Sequence, residues 1–372
     1  MLGLIAFAVT YICVPLARRL ALRLDAVDYP SERRVNKRPT PRMGGIAMAC
    51  GIFAAIIVEV LGEYFFGWAG FYITGDSRGI NHLGVMVGLL VIVLVGAMDD
   101  VYSLKPGVKL GGQVLGSVII AASGCLLSSI ANPFGAGFIE FGWFAYPLTV
   151  LYLVCFMNVM NLIDGLDGLA AGIAAIAAFF LFVIACDKAL EETAMLSIVL
   201  LGATLAFLRY NFAPASIFMG DSGSLMLGAM IGIISLMGVM RSPTIIIMAV
   251  PLVIAAIPIA DTAAAIVRRL YHHRPIQQAD RKHLHHMLLR KGYGVRKSVV
   301  IVYAWTVALG IGAFVMSRSH GIAVLMVLVG IMIVSFLILW KLGMFDKVLR
   351  HHYHGRHMRQ EDKPRWYGKH GR

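Results

Sequence analysis

The stretch Asn161-Leu-Ile-Asp164-Gly-Leu-Asp167-Gly-Leu-Ala carries a polar side chain at every third residue between two strongly apolar runs. If the stretch is helical, the amide and both carboxylates share one face. Such groups are costly beside lipid-embedded helices unless they bind a cation or a polar ligand. The stretch therefore predicts a site. The alternative is a helix-breaking turn, Asp-Gly-Leu-Asp-Gly, that joins two membrane helices and leaves its charges solvated.

Apolar runs continue along the whole chain. Of the 372 residues, 59% are hydrophobic and only 14% are charged, and the mean hydropathy is +0.79. This balance predicts an all-α polytopic integral membrane protein rather than a soluble one. Eleven runs are long enough to cross about 30 Å of hydrocarbon. They lie near 1–20, 43–61, 82–98, 109–131, 144–161, 168–186, 193–209, 223–240, 245–267, 298–316 and 322–342.

Basic residues predict the orientation of these spans. With the N-terminus outside, nearly all of the 33 lysines and arginines lie in inside segments, and this bias puts the C-terminus and the polar motifs at the cytoplasmic face. The expected location is the inner (cytoplasmic) membrane. The exceptions on the other side are Arg78, Lys188, Arg241 and Arg318.

The same bias accounts for the net charge of +13. It indicates attraction to anionic membrane lipids and gives no reason to expect nucleic acid as a partner. We expect residues 1–342 to form one membrane domain and residues 343–372 to form a basic cytoplasmic tail that contains histidines.

The first inside loop ends in Lys37-Arg-Pro-Thr-Pro-Arg42-Met-Gly44-Gly45. Its charges fit a simple positive-inside anchor. Its prolines and glycines also fit an anion site, because glycine lets backbone N–H groups approach an anion at the start of a helix.

Paired carboxylates, Asp99 and Asp100, end the third run, and Lys109 opens the next. Adjacent carboxylates repel each other unless a cation compensates. The pair therefore suits a general base or a neighbour of a metal, although a solvated loop with balancing lysines is the alternative. Lys109 could hold a phosphate or extend to the interface.

A further carboxylate lies between glycines in the segment from Asn211 through Phe218 to Gly220-Asp221-Ser-Gly223. Asp221 alone could be a helix N-cap. The predicted topology, however, brings six side chains with oxygen atoms to one membrane face. Such a set suits Mg²⁺ and phosphates, because hard cations prefer oxygen ligands. The six are Asp99, Asp100, Asn161, Asp164, Asp167 and Asp221.

The last large inside loop reads Asp280-Arg-Lys-His283-Leu-His285-His286. The histidines could bind Zn²⁺, but dense Arg and Lys would repel a metal and no cysteine accompanies them. Phosphate binding fits better, and a simple basic anchor is the alternative. Asp261, inside the ninth run, has no role that the sequence assigns.

Together these motifs resemble the polyprenyl-phosphate N-acetylhexosamine-1-phosphate transferases, glycosyltransferase family 4. The motif His283-Leu-His-His resembles the WecA and TagO branch, which uses UDP-GlcNAc, rather than the related phospho-MurNAc-pentapeptide transferases. The resemblance implies transfer of GlcNAc-1-phosphate from UDP-GlcNAc to undecaprenyl or another polyprenyl phosphate, with release of UMP. This is the first lipid-linked step of cell-envelope polysaccharide synthesis, as in lipopolysaccharide or teichoic acid.

The resemblance also implies roles for individual residues. Mg²⁺, with Mn²⁺ as an alternative, is expected on Asn161 and Asp221, and uracil near Asp167 and Phe218. Asp99 resembles the residue proposed to activate the lipid phosphate. The implied catalytic set is Asp99, Asp100, Asp164 and His283. The implied substrate-binding set is Lys37, Arg42, Lys109, Asp164, Asp167, Asn211, Phe218, His285 and His286.

Several alternatives stay open at this stage. UDP-GalNAc, a deoxy-aminosugar nucleotide or UDP-MurNAc-pentapeptide could be the donor, because epimers differ by only one or two hydrogen bonds. The sequence also does not specify the length of the acceptor's prenyl chain or whether the protein forms a homodimer. A secondary transporter of anionic solutes is the competing class, but its sites lie near the bilayer midplane rather than at one rim.

Overall fold

A computed structural model describes residues 1–30, 38–68, 79–132, 137–241, 288, 292–319 and 322–341. Within these ranges the chain is mainly helical, with two short hairpins. The antiparallel strands are β1 Val27–Asp28 with β2 Thr40–Pro41, and β3 Ser129–Ala131 with β4 Phe138–Glu140. The helices are α1 Leu2–Arg23, α2 Gly44–Phe66, α3 His82–Tyr102, α4 Pro106–Ala122, α5 Ala145–Ile163, α6 Leu169–Asp187, α7 Glu191–Asn211, α8 Gly220–Arg241, α9 Val295–Arg318 and α10 Ile322–Lys341.

Eight helices in the described ranges, α1 to α3 and α5 to α9, are long and apolar enough to cross a membrane. The prediction of a polytopic helical membrane protein is therefore confirmed. The predicted run at 245–267 lies outside the described residues.

One predicted run is wrong in its extent. The run at 109–131 was expected to be a single span, but α4 has 17 residues and ends at Ala122. Gly124 then adopts a left-handed φ of +89°, a conformation that stops a helix at little cost only at glycine. The chain continues into the β3–β4 hairpin, which hydropathy alone did not distinguish from helix.

The start of α8 lies at a crossing of three helices. A side chain on Gly45 of α2 would lie 2.0 Å from the backbone nitrogen of Gly223, and one on Gly96 of α3 would lie 2.6 Å from the carbonyl oxygen of Asp221. Small residues at these crossings let the helix backbones approach, as is common where membrane helices pack. The first turn of α8 is thereby enclosed by α2 and α3.

The stretch from Asn161 to Asp167 is not one helix, so its three polar side chains do not share a helical face as proposed. α5 ends at Ile163, Asp164 is its C-cap, and α6 begins at Leu169 after Gly168 with φ +81°. The two Asp-Gly pairs break the helix, because glycine favours leaving the α conformation. The alternative of a helix-breaking turn is therefore confirmed.

Contacts group Met1–Leu328 into one compact unit, which contains every site residue that the structure describes. A second unit begins at Val329, and its described residues are helical to Lys341. The predicted basic tail from residue 343 lies outside the described residues.

Candidate active site

Four helix ends bring polar side chains together. Asp99 lies near the end of α3, Lys109 near the start of α4, Asn161 near the end of α5 and Asp221 in the first turn of α8. Lys109 Nζ lies 3.4 Å from Asp99 Oδ2 and 3.5 Å from Asn161 Oδ1, and it directly contacts Asp221 Oδ2. The ammonium group therefore compensates two carboxylates that would otherwise repel each other.

A second hydrogen-bond set orients the amide of Asn161. Its Nδ2 donates to Asp221 Oδ1 at 2.8 Å and to Ser224 Oγ at 2.9 Å. This leaves Asn161 Oδ1 facing the ammonium of Lys109. Asn161 and Asp221, the two predicted metal ligands, are thus adjacent and share one environment.

The donor set fits a hard cation. The positive charge of Lys109 lies among three oxygens, from Asp99, Asn161 and Asp221, and oxygen is the ligand that Mg²⁺ prefers. Within the described ranges, no cluster of three or more His, Cys, Asp and Glu side chains is arranged to hold a metal. The fit therefore depends on an amide as the third oxygen donor beside two carboxylates.

The two adjacent aspartates have different environments. Asp99 Oδ1 accepts the backbone N–H of Leu104 at 2.7 Å, and Asp99 Oδ2 faces Lys109. Asp100 is 2% exposed and accepts the N–H groups of Asp221 and Ser222, at 2.7 and 3.1 Å, and the hydroxyl of Ser222. Asp100 therefore caps the start of α8, where a negative charge is stabilised by the helix dipole.

The loop after α5 places the next two carboxylates. Asp164 is half-buried, and burial, followed by the charges of Asp100 and Asp167, raises the pKa of its carboxyl to about 7. Burial also raises the pKa of Asp167, but the N–H of Ala215, which donates to Asp167 Oδ2 at 2.9 Å, acts in the opposite direction. Neither carboxylate is merely solvated, so that part of the turn interpretation is wrong.

Asn211 connects two loops. Its Oδ1 accepts the N–H of Gly168 at 3.0 Å, and its Nδ2 donates to the carbonyl of Ile217 at 2.9 Å. Since Asn211 is 2% exposed, both ends of its amide serve the protein backbone. The structure thus gives it a positioning role, and its predicted contact with substrate stays a prediction.

Phe218 joins the segment before α8 to the start of α2 through its backbone. Its N–H donates to the carbonyl of Pro41 at 2.8 Å, and its carbonyl accepts the N–H of Gly44 at 3.0 Å. Gly45 likewise donates to Met219. The amides of Gly44 and Gly45 are therefore occupied, and the expectation that they approach an anion is wrong.

Arg42 Nη2 lies 3.4 Å from Ser103 Oγ, just after α3.

Four predicted site residues, Lys37, His283, His285 and His286, lie outside the described residues, as does Asp261. Their roles stay predictions.

The sequence interpretation missed residues that support the site. Asn158 donates to Gln113 Oε1 at 2.7 Å and joins α5 to α4 one turn from Asn161 and Lys109. Asn158 continues the three-residue spacing of the motif toward the N-terminus, so the pattern itself could have revealed it. Ser222 and Ser224, by contrast, acquire roles only through packing.

Two cavities lie beside these residues. One of about 750 Å³ is lined by Asp167, Pro214 and Arg296, among others. The other, of about 550 Å³, is an apolar groove between α4 and α5, and its lining includes Leu110, which follows Lys109 in the sequence. Its walls include Val114, Tyr146 and Leu151.

The fold and the site define a polytopic helical membrane protein with a lysine-compensated acidic site at its helix ends. The sequence pattern of the family described as Glycosyl transferase family 4 matches residues 82–239, which include Asp99, Lys109, Asn161 and Asp221. The chain belongs to this family, and the resemblance found in its motifs is confirmed.

Named relatives support the assignment over most of the chain. The chain is 37% identical over 319 residues to a probable undecaprenyl-phosphate N-acetylglucosaminyl 1-phosphate transferase of Bacillus subtilis, covering 85% of each chain. It is 35% identical over 339 residues to a decaprenyl-phosphate N-acetylglucosaminephosphotransferase of Mycobacterium tuberculosis, covering 84% of this chain and 81% of the relative. An undecaprenyl-phosphate alpha-N-acetylglucosaminyl 1-phosphate transferase of Escherichia coli is 26% identical over 352 residues, with 92% of each chain covered.

Proposed function

We propose that the protein transfers GlcNAc-1-phosphate from UDP-GlcNAc to a polyprenyl phosphate, releasing UMP and forming polyprenyl-diphosphate-GlcNAc. The observation that carries the proposal is the convergence of Asp99, Lys109, Asn161 and Asp221, in a chain whose relatives are named for this transfer. A reaction between two phosphate groups needs both positive charge and oxygen ligands for a cation at one place, and this cluster supplies both.

The donor belongs beside the loop after α5. Asp167 and the cavity of about 750 Å³ next to it offer room for a nucleotide, and Phe218 is a half-buried aromatic for the base. Asn161 and Asp221 would hold Mg²⁺, or Mn²⁺ in its place. Bound there, the metal would offset the negative charge of the diphosphate.

The acceptor belongs on the other side of Lys109. The groove between α4 and α5 is almost entirely apolar, which suits an isoprenoid chain, and one of its lining residues, Leu110, follows Lys109 in the sequence. A polyprenyl phosphate with its chain in this groove would bring its phosphate to the ammonium of Lys109.

The chemistry that we infer is a direct displacement. The second pKa of a phosphate monoester is about 6, so the acceptor is largely dianionic at neutral pH and needs a base only modestly. A phosphate oxygen of the acceptor attacks the β-phosphorus, the bond from this phosphorus to the bridging oxygen breaks, and UMP leaves with that oxygen. Asp99, which pairs with Lys109, takes the remaining proton when the acceptor is monoanionic. No aspartyl-phosphate intermediate is required.

We also propose the finer topology. The apolar runs support eleven spans. The basic residues support an N-terminus outside and both the site and the C-terminus at the cytoplasmic face of the inner membrane. The donor nucleotide is then taken from the cytoplasm.

The test is UMP release by purified protein in detergent, with Mg²⁺, polyprenyl phosphate and a panel of UDP-GlcNAc, UDP-GalNAc, a deoxy-aminosugar nucleotide and UDP-MurNAc-pentapeptide. We expect release with UDP-GlcNAc that requires the acceptor. Asp187→Ala, at the aspartate that pairs with Arg318 away from the site, is the matched control and should retain activity.

Two outcomes would contradict the proposal. If the protein prefers another UDP-sugar, the proposed donor is wrong and the proposed reaction type stands. Absence of UMP release with every donor, together with uptake of an anionic solute into proteoliposomes, would favour the transporter.

A further inference from the structure

Helix α9 lies outside the matched range 82–239, yet it contacts both loops beside the donor cavity. Arg296 and Tyr303 are seven residues apart, which places them on one face of the helix. Arg296 Nε donates to the carbonyl of Ala213 at 2.7 Å, and the Tyr303 hydroxyl donates to the carbonyl of Gly168. One helical face thus holds the backbone of two loops that are distant in sequence.

The two loops are also bound to each other. Ala215 N–H donates to Asp167 Oδ2 at 2.9 Å, and Gly168 N–H donates to Asn211 Oδ1 at 3.0 Å. Together with the bonds from α9, these contacts close a ring of hydrogen bonds around Asp167. The position of Asp167 therefore depends on all four hydrogen bonds and not on its own loop alone.

Packing leaves little freedom at the Tyr303 contact. A side chain on Gly172, one turn into α6, would lie 2.0 Å from the Tyr303 hydroxyl, so the ring of Tyr303 packs directly on the glycine backbone. Gly168 is buried and has φ +81°. A buried carbonyl that loses its donor is costly, and we therefore expect the loop to shift when the hydroxyl is removed.

We propose that Tyr303 and Arg296 are positioning residues that set the affinity for the nucleotide of the donor by holding the loop of Asp167. This inference rests on the proposed function, which places the nucleotide at that loop. The acceptor side, formed by Lys109 and the groove between α4 and α5, does not contact this ring in the described structure. The effect should therefore separate donor from acceptor.

The test compares Tyr303→Phe with Tyr152→Phe. Each change removes one tyrosine hydroxyl that hydrogen-bonds a neighbouring segment, but Tyr152 bonds Ser235 Oγ at 2.7 Å, away from the donor loops. We expect Tyr303→Phe to raise the KM for UDP-GlcNAc and the Kd for UMP, measured by calorimetry, by about three- to tenfold. The KM for polyprenyl phosphate should change less than about twofold, and Tyr152→Phe should leave all three constants near wild type.

Arg296 provides a second variant that is independent of the first. Arg296→Lys keeps the charge but not the Nε donor, and Arg296→Gln removes the charge. If the bond to Ala213 is what matters, both variants raise the donor KM and the UMP Kd. If Arg296→Lys instead keeps the wild-type donor KM and UMP Kd, only the charge of Arg296 matters, and its positioning role is overturned.

Failure of this inference is distinguishable from failure of the proposed function. If wild-type protein binds and releases UMP but Tyr303→Phe matches Tyr152→Phe, or shifts both substrate KM values equally, the inference about Tyr303 is wrong and the function stands. If wild-type protein neither binds UMP nor releases it, the proposed function fails and this inference fails with it. Should Tyr303→Phe not fold, the Arg296 pair decides.

Discussion

The carboxylate of Asp100, near the end of α3, accepts a hydrogen bond from the backbone N–H of Asp221 at 2.7 Å. Asp221 lies in the first turn of α8. Asp100 is thus buried at the start of α8 and holds the residue that faces Lys109 and Asn161. Its neighbour Asp99 points instead toward Lys109. The predicted catalytic pair therefore separates into one residue that holds the start of α8 and one that faces Lys109.

Asp100→Asn should lower activity at every pH and destabilise the fold by about 1–3 kcal/mol. The amide has only one oxygen for the three donors that Asp100 accepts, and it loses the charge that favours the helix N-terminus. Rate and thermal unfolding should be measured between about pH 6 and 9. Full stability with lost activity would instead favour a direct chemical role for Asp100.

Asp99→Asn should behave differently. The amide oxygen can still accept the N–H of Leu104, so the local backbone is kept while the base is lost. If Asp99 only assists a phosphate that is mostly ionised already, the deficit should shrink as pH rises well above 7. An obligatory aspartyl nucleophile would leave the variant inactive at all pH values. Trapping of a phosphorylated protein with UDP-GlcNAc alone would likewise contradict direct displacement.

Asp164→Asn should stabilise the free protein above pH 7. Burial raises the pKa of Asp164 to about 7, whereas an unfolded aspartate titrates near pH 4, at about 3.9. The ionised carboxylate therefore opposes folding increasingly from pH 4 to 7 and fully above 7. We expect the variant to melt a few degrees higher at pH 8 without ligands, with the difference vanishing near pH 4. An unchanged or lower melting temperature at pH 8 would contradict this.

Asp221→Ala should abolish turnover while the protein remains folded, since it removes a proposed Mg²⁺ ligand and the partner of Lys109. Thermal unfolding without substrates, with and without MgCl2, gives a readout apart from activity. Wild-type protein should gain stability with Mg²⁺ and the variant should not. Near-normal turnover at ordinary Mg²⁺ would remove Asp221 from the metal site, and Asp187→Ala controls for loss of a carboxylate elsewhere.

His283→Ala tests the phosphate interpretation of the histidine loop. Because Arg281 and Lys282 lie beside it in sequence, His283 is expected to assist phosphate binding by hydrogen bonding and charge. Its loss should raise the KM for UDP-sugar or lower kcat. A zinc-selective chelator should not affect wild-type enzyme when Mg²⁺ is maintained. Inactivation that zinc reverses and Mg²⁺ does not would assign the histidines to zinc.

The sequence by itself determined that the chain is a polytopic helical membrane protein and which polar residues gather at its helix ends. Both follow from local patterns. A long apolar run is expected to be removed from water, and a carboxylate beside such a run is costly unless it has a partner. Motif order was sufficient to identify the family. The length of α4 was not determined, because hydropathy does not distinguish the apolar residues that lead into the β3–β4 hairpin from a continuing helix.

Only the tertiary structure decided how these residues divide their tasks. Asp99 and Asp100 are adjacent in sequence, but consecutive helical side chains point about 100° apart, so one meets Lys109 and the other meets the start of α8. The contacts of Tyr303 with Gly168 likewise join segments 135 residues apart. No local pattern encodes such a contact, because it exists only where two helices pack.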